Sequence, residues 1–324
     1  FRKILKITGV LLVIAVIILA FIYGPMFNRL VPLATGYGAK HLCSCSMISG
    51  RKPVDIIKNE LDFFPVSLGK YSINYEDSTT TGCFFGFFKR EAVYRKGFGC
   101  TLISGTTKEQ LKKEVFPKID VKNDSLNLLK WPLGEKVTIE IPNNIDQSEL
   151  NKVIDKAFVE EGDPKRNMRS LLVVYNDRII AERYAEGFDK DTKQLGWSMA
   201  KSILNGVMGR MHQDSLFHWD NRAPVKKWAN DDRSSITIDD LLRQSSGLRW
   251  WENYSGESDV TNMLFNSYDM ADFVTNSQSR EKPGKSFVYS SGNSVLLSGI
   301  VIELLGNEAY LKCPYVELFH NIGM

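Results

Sequence analysis

The chain of 324 residues is long enough for two domains, and its apolar and charged fractions, 43% and 24%, are those of a globular protein. Its 41 basic and 38 acidic residues nearly balance, and no basic cluster lies outside the N-terminus, so nucleic acid is not a predicted partner. The sequence has no Gly-rich phosphate loop, no H-E-x-x-H pair and no paired C-x-x-C. We therefore predict neither a metal nor an organic cofactor.

The N-terminal segment has the length and composition of a membrane span. Every residue from Ile7 to Tyr23 is uncharged and nearly all are apolar, and about twenty such residues cross a bilayer core of roughly 30 Å. Three basic residues precede this run, which by the positive-inside rule keeps the N-terminus in the cytoplasm. We predict a single-pass anchor over residues 1–29 that places the rest of the chain outside the cytoplasm, in the periplasm. A cleaved signal peptide is the competing interpretation.

Two segments follow the predicted anchor. Residues 30–105 mix glycine, serine and aromatic residues with short β-like runs, such as Lys70–Tyr75 and Gly82–Phe88, and are predicted to form a small β-rich module. Residues 106–147 contain three prolines that interrupt regular structure, so they are predicted to be a connector.

Four of the five cysteines fall within the N-terminal segment, where an oxidising compartment would permit a bridge. Cys43 and Cys45 are too close in sequence to pair comfortably with each other. Cys100 can pair with Cys43 or with Cys45, and free buried thiols are the alternative. Cys313 is left as an odd thiol.

The segment after the connector has the clearest local pattern in the chain. Ser148 is predicted to cap a helix over Glu149–Glu161. Leu171–Tyr175 and Arg178–Tyr184 are two β runs joined by an Asn-Asp pair, which is typical of a hairpin turn. A helix, a hairpin and then a further helix predict an α+β fold rather than an all-α or alternating one.

That further helix begins with Ser198-Met199-Ala200-Lys201, which has the spacing S-x-x-K. Residues three apart share a helix face, so Lys201 can bring its amine to the Ser198 hydroxyl. The helix N-terminus also favours negative charge that develops nearby. Only this match precedes an apolar stripe at helical spacing; the others lie next to turns, at Ser49/Lys52, Ser67/Lys70 and Ser279/Lys282.

Two later helices are predicted. Thr237 can cap a short helix that ends before Ser245, and Asn293–Leu305 has the composition of an apolar helix. Tyr289 lies on the connection that enters the second of these helices. Side chains on such connections can face a cleft.

Three motifs in one order carry a resemblance to a known family: Ser198-Met199-Ala200-Lys201, Leu241–Leu248 and Tyr289–Asn293. The chain resembles the serine β-lactamase and penicillin-binding superfamily, in its class C-like branch. Within that branch it is most similar to membrane-anchored serine hydrolases of the 6-aminohexanoate-dimer hydrolase and esterase type. S-x-x-K is a recognised signature of the superfamily. The resemblance covers residues 148–324 and implies an antiparallel sheet flanked by helices, a helical lobe and a cleft between them.

The resemblance also implies roles for single residues. Ser198 would be the nucleophile, Lys201 its proton partner and Tyr289 the second general base. A plainer role competes in each case: a helix cap for Ser198, a solvated lysine for Lys201 and a core aromatic for Tyr289. The substrate pocket is predicted to include Trp197, Ser291, Asn293, Trp250, Trp251 and Tyr254.

Two features depart from the family pattern. Class C relatives usually have asparagine two residues after the tyrosine, where this chain has Ser291. The third motif, Lys or His followed by Thr or Ser and Gly, has no counterpart after Tyr289, so the catalytic domain over residues 148–324 is predicted to be incomplete.

The predicted function is a serine hydrolase that forms an acyl-enzyme on Ser198 from small esters or linear amides. One alternative is a D-Ala-D-Ala peptidase or β-lactamase. Another is a catalytically inactive binding protein of the same fold. The predicted partners are a small-molecule substrate and, through the N-terminal helix, the membrane; the oligomeric state is not predicted.

Overall fold

The structure is a computed structural model that describes residue 24 and residues 27–120, 128–160 and 166–323. The run predicted to cross a membrane, Ile7–Tyr23, lies outside the described residues. Within the described ranges, no single helix is long and apolar enough to span a bilayer. Two consecutive helical segments, Ser291–Leu305 and Asn307–Ile322, meet that test by length and composition only when they are joined across a break.

The described chain contains helices and strands of four to nine residues, with four strands in a first group, two in a second and only helices after them. The helices are α1 (residues 27–43), α2 (Pro53–Glu60), α3 (Lys108–Lys113), α4 (Gln147–Phe158), α5 (Met199–Gln213), α6 (Ile238–Leu242), α7 (Asp259–Asn266), α8 (Met270–Thr275), α9 (Ser291–Leu305), α10 (Asn307–Cys313) and α11 (His320–Ile322). The strands are β1 (Lys70–Asn74), β2 (Thr79–Phe84), β3 (Phe87–Arg95), β4 (Gly99–Leu102), β5 (Ser170–Tyr175) and β6 (Arg178–Tyr184).

The chain folds into two compact units. The first contains the described residues up to Pro117 together with Leu195–Leu311, and the second contains Lys118–Gln194 and the residues from Lys312 onward. The predicted domain boundaries at 29/30, 105/106 and 147/148 divide the chain differently. The β-strands of the N-terminal segment and the helix that follows Ser198 therefore share one unit.

The N-terminal segment, predicted to be β-rich, begins with a helix. α1 continues into a π-helical turn at Ser44–Ile48, and its buried residues include Thr35, Ala39 and Leu42, which recur at helical spacing. Its neighbour strand approaches closely, because a Cβ at Gly82 would lie 2.3 Å from the Thr35 carbonyl oxygen. Pro32, Gly36 and Gly38 lie within α1, and these residue types normally indicate a turn or a break rather than a helix.

A four-stranded antiparallel sheet, in the order β1-β2-β3-β4, follows α1 and α2. It accounts for the β-like runs of the sequence. A disulfide between Cys43 and Cys100 joins α1 to β4 across 57 residues of chain, one of the two pairings that the spacing left open. Both cysteines are buried in a cluster with Leu33, Ala92 and Phe265. Cys45, Cys83 and Cys313 are free.

The core of the first unit forms around α9. This helix packs against α8, α6, α5 and α7, and the fully buried side chains around it include Met208, Leu241, Met263 and Leu297. Trp228 is also fully buried, and its indole N–H donates to the Thr275 carbonyl at 2.9 Å. Truncation of a buried leucine in such a core typically costs about 2–5 kcal/mol.

The second unit contains the predicted hairpin, which the structure confirms. β5 and β6 pair antiparallel, and both turn residues have positive φ, 47° at Asn176 and 55° at Asp177, as a type I′ turn requires. The preceding helix is capped differently from the prediction. The Asp146 carboxylate, rather than Ser148, accepts from the first backbone N–H groups of α4, because Asp146 immediately precedes the helix whereas Ser148 lies within its first turn. The α+β fold is confirmed.

Candidate active site

Ser198 lies at the start of α5, immediately after a strained residue. Trp197 has a φ of +42°, which costs a non-glycine side chain on the order of 1–3 kcal/mol. Ser198 itself has helical backbone angles, and its hydroxyl accepts no capping hydrogen bond. Its backbone N–H bonds to none of the described residues. Ser198 thus occupies the N-cap position of α5 without making a side-chain capping bond, so its hydroxyl stays available for other partners.

Two proton-bearing groups, one nearby in sequence and one distant, lie within hydrogen-bonding distance of the Ser198 oxygen. Lys201 Nζ donates to Ser198 Oγ at 3.0 Å, one helical turn away as its spacing predicts. The Tyr289 hydroxyl donates to the same oxygen at 2.8 Å across 91 residues of sequence. Lys201 Nζ also lies 5.1 Å from the centre of the Tyr289 ring. The three residues predicted to be catalytic thus form one hydrogen-bonded cluster.

A carboxylate missed by the sequence analysis holds the other side of this cluster. Lys201 Nζ donates to Ser291 Oγ at 3.0 Å, and Ser291 Oγ donates to Glu252. Glu252 also accepts from the Ser291 backbone N–H at 2.9 Å, the Tyr254 hydroxyl at 2.6 Å and the Trp250 indole. The motifs give no signal for Glu252, because its role depends on contacts with residues about forty positions later.

These contacts change the acidity of the side chains involved. Burial raises the pKa of Glu252, but hydrogen bonds from Ser291, Tyr254 and Trp250 outweigh burial and lower it below its usual value. Burial, together with the hydrogen bond to Glu252, raises the pKa of Tyr254 to about 12. Glu252 is thus an ionised carboxylate at neutral pH, and the Ser291 hydroxyl connects it to Lys201 through two hydrogen bonds.

The second motif, Leu241–Leu248, positions the loop that carries Tyr289. Gln244 accepts from two backbone N–H groups of this loop, through its carbonyl from Val288 at 2.8 Å and through its side chain from Ser290 at 2.7 Å. Gly247 has a φ of +72°, and a Cβ there would lie 2.2 Å from the Glu281 carbonyl oxygen. The motif therefore acts on Tyr289 through backbone contacts.

The predicted pocket residues occupy different places. Trp197 and Tyr254 line a cavity that also contains Ser198 and Tyr289. Ser291 belongs to the hydrogen-bonded cluster. The remaining three do not line this cavity: Trp250 packs over Gly292, Trp251 is 58% exposed, and Asn293 is 1% exposed with its side-chain oxygen accepting from Ser246.

The cavity beside Ser198 has a volume of about 870 Å³. The sequence analysis did not predict it, because much of its wall comes from the N-terminal segment. That segment contributes α1 and the loop after α2, which the fold brings to the start of α5. Its lining residues from this segment are Phe27, Leu30, Val31, Leu33, Ala34, Tyr37, Phe63, Phe64, Pro65, Val66, Leu68 and Phe84.

One group of the described side chains could hold a metal ion. The ligand atoms of His41, Cys45 and Glu60 lie within 4.8 Å of one another. His41 Nε2 and a Glu60 carboxylate oxygen are 2.6 Å apart, and Arg51 pairs with the same carboxylate. The cluster is thus already an ion-pair network, and it shares no residue with the Ser198 cluster.

The fold and the Ser198 cluster define a class: α+β proteins with an S-x-x-K serine at the start of a helix. Residues 156–324 match the family model described as Beta-lactamase, which is more than half of the chain. The protein therefore belongs to the Beta-lactamase family, whose members are generally serine hydrolases.

Three solved structures match parts of the chain at low sequence identity. A candidate 6-aminohexanoate-dimer hydrolase from Bacillus anthracis is 16% identical with a TM-score of 0.40, over 49% of this chain and 43% of that one. A candidate β-lactamase from Bacteroides dorei DSM 17855 is 21% identical with a TM-score of 0.40, over 52% and 49%. FmtA from Staphylococcus aureus is 18% identical with a TM-score of 0.36, over 57% and 51%.

The chain thus spans about half the length of each of these proteins. No curated protein matches the chain at a significant level.

Proposed function

We propose that this protein is a serine hydrolase that forms an acyl-enzyme on Ser198. The observation that carries the proposal is the convergence of Lys201 Nζ and the Tyr289 hydroxyl on Ser198 Oγ, at 3.0 and 2.8 Å. A serine hydroxyl attacks a carbonyl carbon only when a neighbouring base accepts its proton. Both candidate bases lie at the hydrogen-bonding distance that general-base catalysis requires.

In the proposed reaction, Ser198 Oγ bonds to the carbonyl carbon of the substrate, and its proton passes to whichever of Lys201 and Tyr289 is in its unprotonated form. The tetrahedral intermediate collapses, the bond to the leaving oxygen or nitrogen breaks, and the leaving group takes that proton. Water then attacks the ester carbonyl and gives up a proton to the same base. The bond between the acyl carbon and Ser198 Oγ breaks, the base returns its proton to Oγ, and the acid leaves. The N-terminus of α5 and the free Ser198 N–H favour the negative charge that develops on the carbonyl oxygen.

The proposed substrates are small esters or linear amides. The resemblance to the 6-aminohexanoate-dimer hydrolase and esterase group supports this class. The place of the class C asparagine is taken by Ser291, whose hydroxyl is engaged by both Lys201 and Glu252. Ser291 therefore has no side-chain amide to offer a β-lactam, which argues against the β-lactamase and D-Ala-D-Ala peptidase alternatives.

Hydrolysis of p-nitrophenyl acetate by the full-length protein tests the proposal. We expect Ser198→Ala to lower kcat/KM at least ~10³-fold, and Lys201→Ala to lower it ~10²- to 10⁴-fold. Ser202→Ala is the matched control, because Ser202 is exposed on the same helix. Turnover that survives Ser198→Ala, or no turnover at all, would contradict the proposal and favour an inactive binding protein.

Labelling by fluorescent penicillin separates the remaining enzyme alternative. A stable adduct on Ser198 would identify a penicillin-recognising enzyme, whereas the proposal expects esters to react and penicillin to leave the protein unlabelled.

We further propose that the protein is anchored in the cell membrane with its folded part in the periplasm. The uncharged run Ile7–Tyr23 and the basic residues before it support the anchor. The disulfide between Cys43 and Cys100 supports an oxidising compartment. Accessibility of the folded part to protease added outside spheroplasts would test this location.

A further inference from the structure

The cavity beside Ser198 has a chemical character of its own. Its wall contains twenty residues, and none of them carries a charge. The polar side-chain groups among them are the Trp197 indole N–H and hydroxyls, including those of Ser198, Tyr254 and Tyr289, and most of the rest of the wall is aromatic or aliphatic. A volume of about 870 Å³ lies within the range of small-molecule binding sites.

The exposure of the wall also indicates a binding surface. Phe63, Phe64 and Leu68, on the loop after α2, are 48%, 80% and 48% exposed. Trp197, which immediately precedes Ser198 and lines the same cavity, is 52% exposed. Large apolar side chains that share one cavity and remain exposed are typical of a ligand-binding site, since a packed core would cover them.

We propose that the substrate's acyl group is an uncharged, apolar chain that lies in this cavity while Ser198 attacks its carbonyl. This inference rests on the proposed function and narrows its substrate class. An apolar chain gains free energy by leaving water for this wall. A substrate with a carboxylate or ammonium in the same place would lose its hydration and find no counter-charge among the lining residues.

A series of p-nitrophenyl esters from acetate to decanoate, hydrolysed by the full-length protein below the micellar concentration, measures the effect. We expect kcat/KM to rise up to about fourfold per methylene, which corresponds to ~0.8 kcal/mol. Octanoate should therefore exceed acetate by at least about 100-fold. The p-nitrophenyl monoester of a dicarboxylic acid of matched length should lose most of that gain, because its terminal carboxylate would be buried without a partner.

Substitutions in the wall localise the effect to this cavity. Ala34→Trp places a large side chain in the cavity from α1. Gly256→Leu places one there from the loop before α7, where a Cβ would lie 3.8 Å from Leu30. Either should lower the octanoate-to-acetate ratio at least about tenfold. Val54→Trp is the control, since Val54 is 66% exposed and does not line the cavity; its ratio should stay at the wild-type value.

The outcomes separate the two proposals. Ser198-dependent turnover of acetate with no preference for longer chains would overturn the inference and leave the proposed function standing. A preference that is unchanged in both wall variants would also overturn it, because the chain would then bind elsewhere. Failure to hydrolyse any ester in the series, acetate included, would overturn both.

Discussion

Glu252 is the residue that organises the hydrogen bonds of the candidate site. Its two oxygens accept four hydrogen bonds, from the Ser291 hydroxyl and N–H, Tyr254 and Trp250. Because Ser291 in turn accepts from Lys201, Glu252 fixes the direction in which the Lys201 amine points. Glu252 touches no atom of the Ser198 hydroxyl, so it is a positioning residue.

The variant Glu252→Gln should lower kcat for ester hydrolysis about tenfold to a hundredfold. A glutamine amide places an N–H group where the native carboxylate oxygen accepts hydrogen bonds, so some of the groups that donate to Glu252 lose their acceptor. The Ser291 hydroxyl then no longer orients the Lys201 amine. Steady-state kinetics, with kcat and KM determined separately, measure this effect.

Glu303→Gln is the control for that substitution, because Glu303 is exposed on α9. Unchanged kinetics in Glu252→Gln would show that the carboxylate has no part in positioning Lys201.

Sequence reasoning at the scale of single residues identified Ser198, Lys201 and Tyr289 as candidates because a motif links them. It missed Glu252, since no spacing rule connects a carboxylate in a loop to a serine thirty-nine residues later. It also placed Asn293 in the pocket, whereas the structure buries that amide against Ser246. The polar groups of a site resemble those of a core until their partners are known.

At the scale of elements, the turn at Gly247 connects the second motif to the Tyr289 loop. Gly247 combines a positive φ with a gap too narrow for a Cβ, 2.2 Å from the Glu281 carbonyl oxygen. Its own carbonyl accepts from the Arg280 N–H at 2.8 Å. The neighbouring Gln244 holds the backbone on either side of Tyr289, so the turn and the loop should move together.

Gly247→Ala should therefore lower both stability and activity. The left-handed backbone conformation alone costs on the order of 1 kcal/mol or more for alanine, and relief of the clash would shift the loop that carries Tyr289. Thermal unfolding and kcat measure the two effects.

Gly209→Ala is the matched control, because Gly209 lies inside α5 and a Cβ there would meet nothing within 4 Å. It should raise stability by about 0.5–1 kcal/mol, since alanine favours the helix. A Gly247→Ala protein as stable and active as the wild type would contradict the role assigned to this turn.

Elements with strong local signals were predictable. The Asn-Asp turn of the hairpin, the Thr237 cap of α6 and the apolar helix α9 all follow from local chemistry, and the structure confirms them. α1 was missed because Pro32, Gly36 and Gly38 lie within it, and these residue types normally indicate a turn or a break; packing of buried residues such as Ala39 and Leu42 stabilises the helix. Whether such a segment is helical depends on its tertiary packing, and that packing is not evident from the sequence of a single chain.

At the scale of the whole molecule, the buried network around His41 makes stability depend on pH. Burial lowers the pKa of His41, but hydrogen bonds to Cys45 and Glu60 outweigh it and raise the pKa from 6.5 to about 9. Arg51 pairs with the same Glu60 carboxylate, and the Tyr37 ring stacks on the imidazole at 5.4 Å. The imidazolium is therefore the form that the folded state prefers.

A folded-state pKa above the unfolded one means that this stabilisation is fully present below pH 6.5 and is lost as pH rises through about 9. The free energy of unfolding should fall by up to about 3 kcal/mol over that interval. Urea unfolding from pH 6 to pH 9.5 measures it. His41→Gln should remove most of the slope, and Glu60→Gln should also flatten it; a slope unchanged in both variants would contradict this assignment.

The overall fold class was predictable from element order and motifs, but the cavity beside Ser198 was not. Its wall combines Leu30 and Phe64 with Trp197 and Tyr254, and the first two residues lie more than 100 positions before the last two in the sequence. The sequence analysis treated the N-terminal segment and the catalytic motifs as separate domains. The structure joins them in one compact unit, so the substrate class is inferred from the N-terminal segment as well as from the motifs.

The central claim is that the Ser198 hydroxyl is a nucleophile activated by Lys201 and Tyr289. The most direct measurement is labelling of the full-length protein with a fluorophosphonate probe, followed by mass spectrometry of the modified peptide. We expect one adduct, on Ser198, that forms much more slowly in Lys201→Ala and not at all in Ser198→Ala. An adduct on another residue, or none on the folded protein, would show that Ser198 is not the activated nucleophile.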